Sequence, residues 1–112
     1  LEFYHCNPRH HTIALVPVRG ARRLYHLMIQ VAQIDDVGFA LDRALAADAR
    51  IIATLGRHTN DHMVSFYVET PGGIELEYGF GARTVDRETW IETLHYKTST
   101  WGHKRAPVST AK

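Results

Sequence analysis

Between Leu55 and Tyr78 (LGRHTNDHMVSFYVETPGGIELEY) the chain gathers two histidines, His58 and His62, a tyrosine, Tyr67, and a glutamate in mid-strand, Glu77. A further histidine, His26, lies inside the nearly continuous apolar run LYHLMIQV. An isolated imidazole in such a run needs a partner, because a buried polar ring without one is costly. Two imidazoles and one carboxylate on one side of a divalent metal, with the other positions open, form the facial arrangement of non-haem Fe(II) oxygenases. Neutral imidazole and carboxylate suit a first-row metal, and the open positions let substrate and dioxygen bind together. The same residue types also fit a hydrogen-bonded core histidine and a glutamate on the solvent face of an edge strand. Spacing alone leaves both readings open.

Positioning these side chains falls to a hairpin. Pro71-Gly72-Gly73 separates two strand-like runs, residues 63–69 and 74–80, and so tight a turn predicts antiparallel neighbours. Alternation puts Ser65, Tyr67 and Glu69 on one face and Phe66 and Val68 on the other. On the second strand Glu75, Glu77 and Gly79 share a face. One of those two carboxylates is a candidate for something other than solvent.

Earlier in the chain, residues 1–6 and 11–18 read as strands paired across Asn7-Pro8-Arg9, with Pro17 near an edge. A basic loop, Arg19-Gly20-Ala21-Arg22-Arg23, leads to the strand at 24–31. Asp35-Asp36 is expected to cap a helix in which Val37, Phe39 (or Ala40), Leu41, Ala44 and Leu45 recur at helical spacing, ending near Ala49. Residues 50–54 form a further strand. Residues 88–96 read as a short terminal helix, and 103–112 as a mobile tail without apolar periodicity.

Composition sets the bounds. At 112 residues this is at most one small domain. Apolar residues at 45% and charged residues at 22% are ordinary for a globular chain. A formal charge of +1 gives no electrostatic case for nucleic acid or for an anionic membrane surface. No apolar run approaches the length of a spanning helix, and the first residues carry no signal-peptide pattern. The single cysteine, Cys6, excludes an internal disulfide, so the default compartment is the cytoplasm. Eight histidines are the unusual count, and they direct attention to a metal or proton-transfer site.

The order from residue 24 is strand, helix, strand, strand, strand. This βαβββ order predicts an α+β fold made by repeating the unit, a curved sheet around a cavity. Residues 1–20 read as the trailing strands of an incomplete first unit, 21–84 as a complete unit carrying the metal site, and 85–112 as a C-terminal helix and tail.

The pattern HHTIALVPV, then LYHLMIQV, then GRHTNDHMVSFYVETPGGIELEYGFG resembles the C-terminal domain of the type I extradiol ring-cleavage dioxygenases, of the vicinal oxygen chelate superfamily. The likeness extends from Tyr4 to His103 and is strongest to enzymes that cleave 2,3-dihydroxybiphenyl and steroid catechols. The late segment with Thr98, Trp101, Gly102 and His103 is similar to the steroid-catechol enzymes. In the family pattern a catalytic histidine precedes a metal histidine by fifteen residues, as His11 precedes His26. A second active-site histidine precedes a tyrosine by nine and the metal glutamate by nineteen, as His58 precedes Tyr67 and Glu77.

The resemblance implies that His26 and Glu77 bind Fe(II), with Mn(II) accepted by the same donors. It implies that His11 is the acid–base residue near the dioxygen site, and that His58 and Tyr67 hydrogen-bond the catechol oxygens. Asn60 and Asp61 would line the substrate pocket, and His62 would support the ligands from behind. It also implies a third metal ligand, a histidine on a strand before Leu1. His5 and His10 are poor substitutes for it. The chain therefore reads as a portion of a longer enzyme, or as one subunit of a homo-oligomer whose partner completes the site, acting on a catechol and dioxygen. The alternatives on the same fold are a metal-dependent isomerase or lyase of glyoxalase type, and a non-catalytic binding module or inactive fragment.

Overall fold

The computed structural model describes residues 1–108. These form seven strands and one helix, in an α+β arrangement: β1 (Glu2–Tyr4), β2 (Ile13–Leu15), β3 (His26–Val31), α1 (Ile34–Ala46), β4 (Ile51–His58), β5 (Val64–Glu69), β6 (Glu75–Phe80) and β7 (Ser99–Trp101). Strands β1 and β2 pair antiparallel as a separate two-stranded sheet. The other five are ordered β3-β6-β5-β4-β7. Within that sheet β3 runs parallel to β6, and every other pair is antiparallel. The α1 crossover returns the chain as β4, with two strands between it and β3, and the antiparallel reversals through β5 bring β6 back parallel beside β3.

Strands β5 and β6 carry β-branched and aromatic residues up to the Pro-Gly-Gly turn. There Thr70 Oγ1 and the Thr70 N–H both donate to the carbonyl of Ile74, and Gly73, at φ +80°, closes the loop by donating to the carbonyl of Thr70. Helix α1 covers the face opposite the histidines. Val37 is fully buried, and Ala40, Leu41 and Ala44 lie on the same stripe, one turn apart. Phe39 and Leu45 instead point outward, 59% and 56% exposed, because they fall off that stripe. The expected Asp35-Asp36 cap is corrected: Gln33 is the capping position, and both aspartates sit inside the first turn, where they favour the positive end of the helix. The helix closes with Asp48 at φ +52°, its N–H donating to Leu45 O and that of Ala49 to Ala44 O.

Two further expectations are corrected. Residues 88–96 are not helical. Asp86 Oδ1 accepts from the Glu88 N–H and the Asp86 carbonyl from that of Trp90, which makes one turn that does not propagate. Ile91, Leu94 and Tyr96 are 78%, 76% and 91% exposed within this chain, so the apolar pattern there meets no surface to bury it. Residues 103–108 are not a loose tail. The Ala106 N–H donates to Ile52 O, Lys104 O accepts from Thr54 N, and Arg105 pairs with both oxygens of Glu75. The rest of the expected tail, 109–112, lies outside the described residues.

The buried core is small: Val37, Ile52, Ala53, Met63, Val64, Phe66, Tyr67 and Val85. Among the described residues no helix is long and apolar enough to cross a membrane.

Candidate active site

One face of the five-stranded sheet collects the chemistry. On β5 and β6 Tyr67 stands directly opposite Glu77, and Ser65 opposite Gly79, as alternation dictates. His58 reaches the same face only through an irregularity. Ala53 pairs with Tyr67 but Gly56 pairs with Ser65, so β4 holds one residue more than β5 over that interval. The extra residue reverses the alternation beyond it, turning His58 to the Tyr67 face and Arg57 away. His58 is then fixed from the far side by the residue preceding β7, Thr98, whose carbonyl accepts from His58 Nδ1 at 3.1 Å.

Glu77 is the hub. It is 5% exposed, which excludes the solvent-facing edge glutamate. Ser65 Oγ donates to Oε1 at 2.6 Å, His58 Nε2 lies 3.1 Å from Oε1, and His26 Nε2 lies 3.3 Å from Oε2. Burial pushes the carboxyl towards its neutral form, but the donors from His26, His58 and Ser65 overcome this and hold it well below the usual carboxylate range. For His58 burial works against charge, yet the hydrogen bond and charge of Glu77 and the Thr98 carbonyl raise its pKa on balance. Nδ1 faces only an acceptor, the Thr98 carbonyl, whereas Nε2 faces both the Glu77 carboxylate and the Tyr67 hydroxyl. Tyr67 Oη sits 2.8 Å from His58 Nε2. Burial, then the negative charge of Glu77, raises the Tyr67 pKa and keeps the phenol protonated.

His26 packs edge-on against the Tyr67 ring, with centroids 5.3 Å apart. Its second nitrogen, Nδ1, is buried and has no hydrogen-bond partner among the described residues. The ring is oriented by its edge-on packing on Tyr67 and by what its Nε2 faces. The 3.3 Å between His26 Nε2 and Glu77 Oε2 fits adjacent positions on one divalent cation, where bonds of about 2.1 Å at right angles put donors about 3 Å apart. The donor set, imidazole and ionised carboxylate, fits as well. Among the described residues no group of three or more His, Cys, Asp or Glu side chains is arranged to hold a metal ion by itself.

The remaining expected positions divide. His11, on the turn before β2, is half-buried and feels the charges of Asp61, Glu77 and His26, though no hydrogen bond joins it to the Glu77 cluster among the described residues. Burial is the main cause holding its pKa below the usual imidazole value. Its Nδ1 lies 3.0 Å from that of His10, and its ring packs on Phe3. Asp61 is 4% exposed, and its Oδ1 accepts from the Met63 N–H, so it builds the turn leading into β5. Asn60 caps the same turn, its Oδ1 accepting from the Asp61 N–H. His62 is not brought to the cluster. It occupies the exposed turn position at φ +64°, and among the described residues only its carbonyl is engaged, by Arg57.

Three contributors escaped the sequence reading. Ser65 donates to Glu77. Arg105 places its guanidinium over the Tyr67 ring, 5.8 Å from the centroid, while paired with Glu75. His103 stacks on His58 with centroids 4.2 Å apart. A signal for His103 exists in Gly56, since a glycine inside a strand marks a close approach. A Cβ on Gly56 would meet the backbone nitrogen of His103 at 2.5 Å and its Cγ at 2.7 Å.

Comparison with known proteins gives this arrangement its context. Residues 1–78 match the Glyoxalase/Bleomycin resistance protein/Dioxygenase superfamily. The chain is 58% identical over 102 residues to a biphenyl-2,3-diol 1,2-dioxygenase of Paraburkholderia xenovorans (strain LB400), covering 91% of this chain and 34% of that protein. It is 50% identical over 103 residues to an iron-dependent extradiol dioxygenase of Rhodococcus jostii (strain RHA1), covering 92% and 34%. A crystal structure of a halotolerant catechol dioxygenase superposes with a TM-score of 0.86 at 44% identity, over 92% of this chain and 35% of that one. The chain thus spans about a third of the length of the curated relatives it matches. With a family match over most of its length and a sheet that superposes on such enzymes, the chain belongs to the Glyoxalase/Bleomycin resistance protein/Dioxygenase superfamily, and its fold is that of the vicinal oxygen chelate extradiol dioxygenases.

Proposed function

We propose that this chain carries part of the active site of an extradiol (meta) ring-cleavage dioxygenase, which inserts both atoms of dioxygen into an aryl-substituted or polycyclic catechol. The observation that carries the reading is the buried Glu77 carboxylate, 3.3 Å from His26 Nε2 and directly opposite Tyr67. In this reading His26 and Glu77 hold Fe(II), and Mn(II) suits the same donors. When bound, the metal would supply a Lewis-acidic centre that activates and orients the catechol and dioxygen. The third ligand comes from a segment outside this chain or from a partner in a homo-oligomer. Residues 1–20 are then the trailing strands of a first unit, and residues 21–84 a complete unit bearing the site, in an enzyme of the cytoplasm.

The chain's own residues have these tasks. Glu77 is held in place by Ser65, whose Oγ donates to its Oε1. His58 and Tyr67, whose polar atoms are 2.8 Å apart, hydrogen-bond the catechol oxygens. His11, held neutral by burial, accepts and returns a proton on the dioxygen side. Asn60 and Asp61 shape the pocket rim through the turn they build. Supplying 2,3-dihydroxybiphenyl to the full polypeptide with Fe(II) is expected to give the yellow ring-fission product. A glyoxalase-type isomerase or a binding module gives none, and a colourless mixture at full iron loading overturns the proposal.

A further inference from the structure

Residues beyond β7 contribute a side chain for which the ligand and substrate roles above have no task. His103 is half-buried and sits at φ +49°, next to Gly102 at φ +69°. Its Nε2 lies 3.0 Å from the carbonyl oxygen of Ser65 and 3.1 Å from Ser65 Oγ. A carbonyl only accepts, so Nε2 carries the proton. Ser99 Oγ lies 2.6 Å from His103 Nδ1, which is then free to accept its hydroxyl proton. Ser65 Oγ in turn donates to Glu77 Oε1 at 2.6 Å. The one Nε2 proton is shared between the Ser65 carbonyl and Oγ, and donation runs from Ser99 through His103 and Ser65 to Glu77. The chain is built at some steric cost. A Cβ on Gly102 would overlap the Leu55 carbonyl and one on Gly56 would strike His103, so both positions are kept bare to let this segment reach the sheet.

We propose that His103 is a positioning residue: through Ser65 it fixes the rotation of the Glu77 carboxylate, and through stacking it fixes the ring of His58. The inference rests on reading Glu77 as a metal ligand. Groups that orient ligands in this way typically change metal affinity 10–100-fold when removed.

The test is an anaerobic competition titration with Fe(II) on the full polypeptide, comparing wild type, His103→Ala, Ser65→Ala, their double variant and His103→Gln. Each alanine variant is expected to weaken Fe(II) binding about 10-fold or more. The double variant is expected to be no weaker than the weaker single, because both changes remove one path. His103→Gln, which keeps a donor for Ser65, is expected to recover most of the affinity. Wild-type affinity in either alanine variant overturns the proposal. So do losses that add in the double variant, or that glutamine does not rescue, which mark a purely structural role. If His103→Ala does not fold, Ser65→Ala and His103→Gln decide by the same criteria. A wild type that takes up no Fe(II) overturns the dioxygenase reading along with this one, whereas a wild type that binds iron beside unaffected variants overturns this one alone.

Discussion

Strands β4, β5 and β6 bury Ile52, Ala53, Phe66 and Tyr67 and tie Glu77 into a network with His26, His58 and Ser65. The β1–β2 sheet, by contrast, consists of two three-residue strands, and within this chain it leaves Tyr4, Ile13 and Leu15 more than half exposed. It meets the rest of the molecule through its connecting turn, where the Val85 N–H donates to Pro8 O and Arg9 bridges Thr84, and through packing of His10 on Trp90. The first region has its donors and acceptors fixed before any ligand arrives. The second brings His11 near the charge of Glu77 without locking it there. Metal binding and stability should therefore respond to changes in the first region, and the rate alone to changes in the second.

The largest expected effect is in the first region. Glu77→Ala removes the carboxylate that His26, His58 and Ser65 all face, so ring cleavage of 2,3-dihydroxybiphenyl should fall to background. Denaturant unfolding of the metal-free variant should show a loss of about 3–5 kcal/mol, the usual consequence of deleting one partner of a buried pair. Next comes His11→Ala, which should lower kcat by about 10²–10⁴-fold, as for a general acid–base residue, with iron content and melting temperature unchanged. A rate equal to wild type contradicts the acid–base role, and a large loss of iron would erase the contrast between the two regions. Gly56→Ala should act through the first region, costing about 1–3 kcal/mol from overpacking against His103. Thermal unfolding measures it, and an unshifted midpoint would mean that the terminal segment can move aside.

The smallest effect is on pH dependence. In the metal-free protein the Glu77 pKa is depressed, so its contribution is present above the unfolded value of about 4.3 and is lost as pH falls further. The His58 pKa is raised, so its contribution is present below about 6.5 and is lost as pH rises through the folded value. The difference in melting temperature between wild type and Glu77→Gln should therefore be greatest between those limits and shrink on both sides. Histidines with lowered pKa values elsewhere, such as His10, cancel in that difference. A difference independent of pH contradicts the pairing.

Much of this was legible in the sequence, for identifiable reasons. Period-two alternation around Pro71-Gly72-Gly73 was enough to put Tyr67 and Glu77 on one face, because a tight turn fixes register. The strand–helix–strand order was readable from the change in period at Val37. Other features depend on contacts that no local pattern records. The additional residue in β4 that turns His58 inward has no composition signal beyond Gly56. β7 forms because β4 offers it an edge, and Ser99–Trp101 has little strand character alone. Residues 88–96 read as a short helix, but helices of that length depend on packing, and there Trp90 packs against Arg83 and His10 while Ile91, Leu94 and Tyr96 stay exposed. His103 was assigned to a tail because residues 103–112 show no apolar periodicity; its partners Ser65 and His58 lie some forty residues away.

The central claim is that the buried Glu77 carboxylate, with His26, is a metal ligand and more than a buried ion pair. Iron content of the anaerobically purified full polypeptide, wild type against Glu77→Ala, tests it most directly. The account predicts close to one Fe(II) per polypeptide in the wild type and only traces in the variant. Equal iron in the two proteins would contradict it, and would leave Glu77 as the counter-ion of His58 alone.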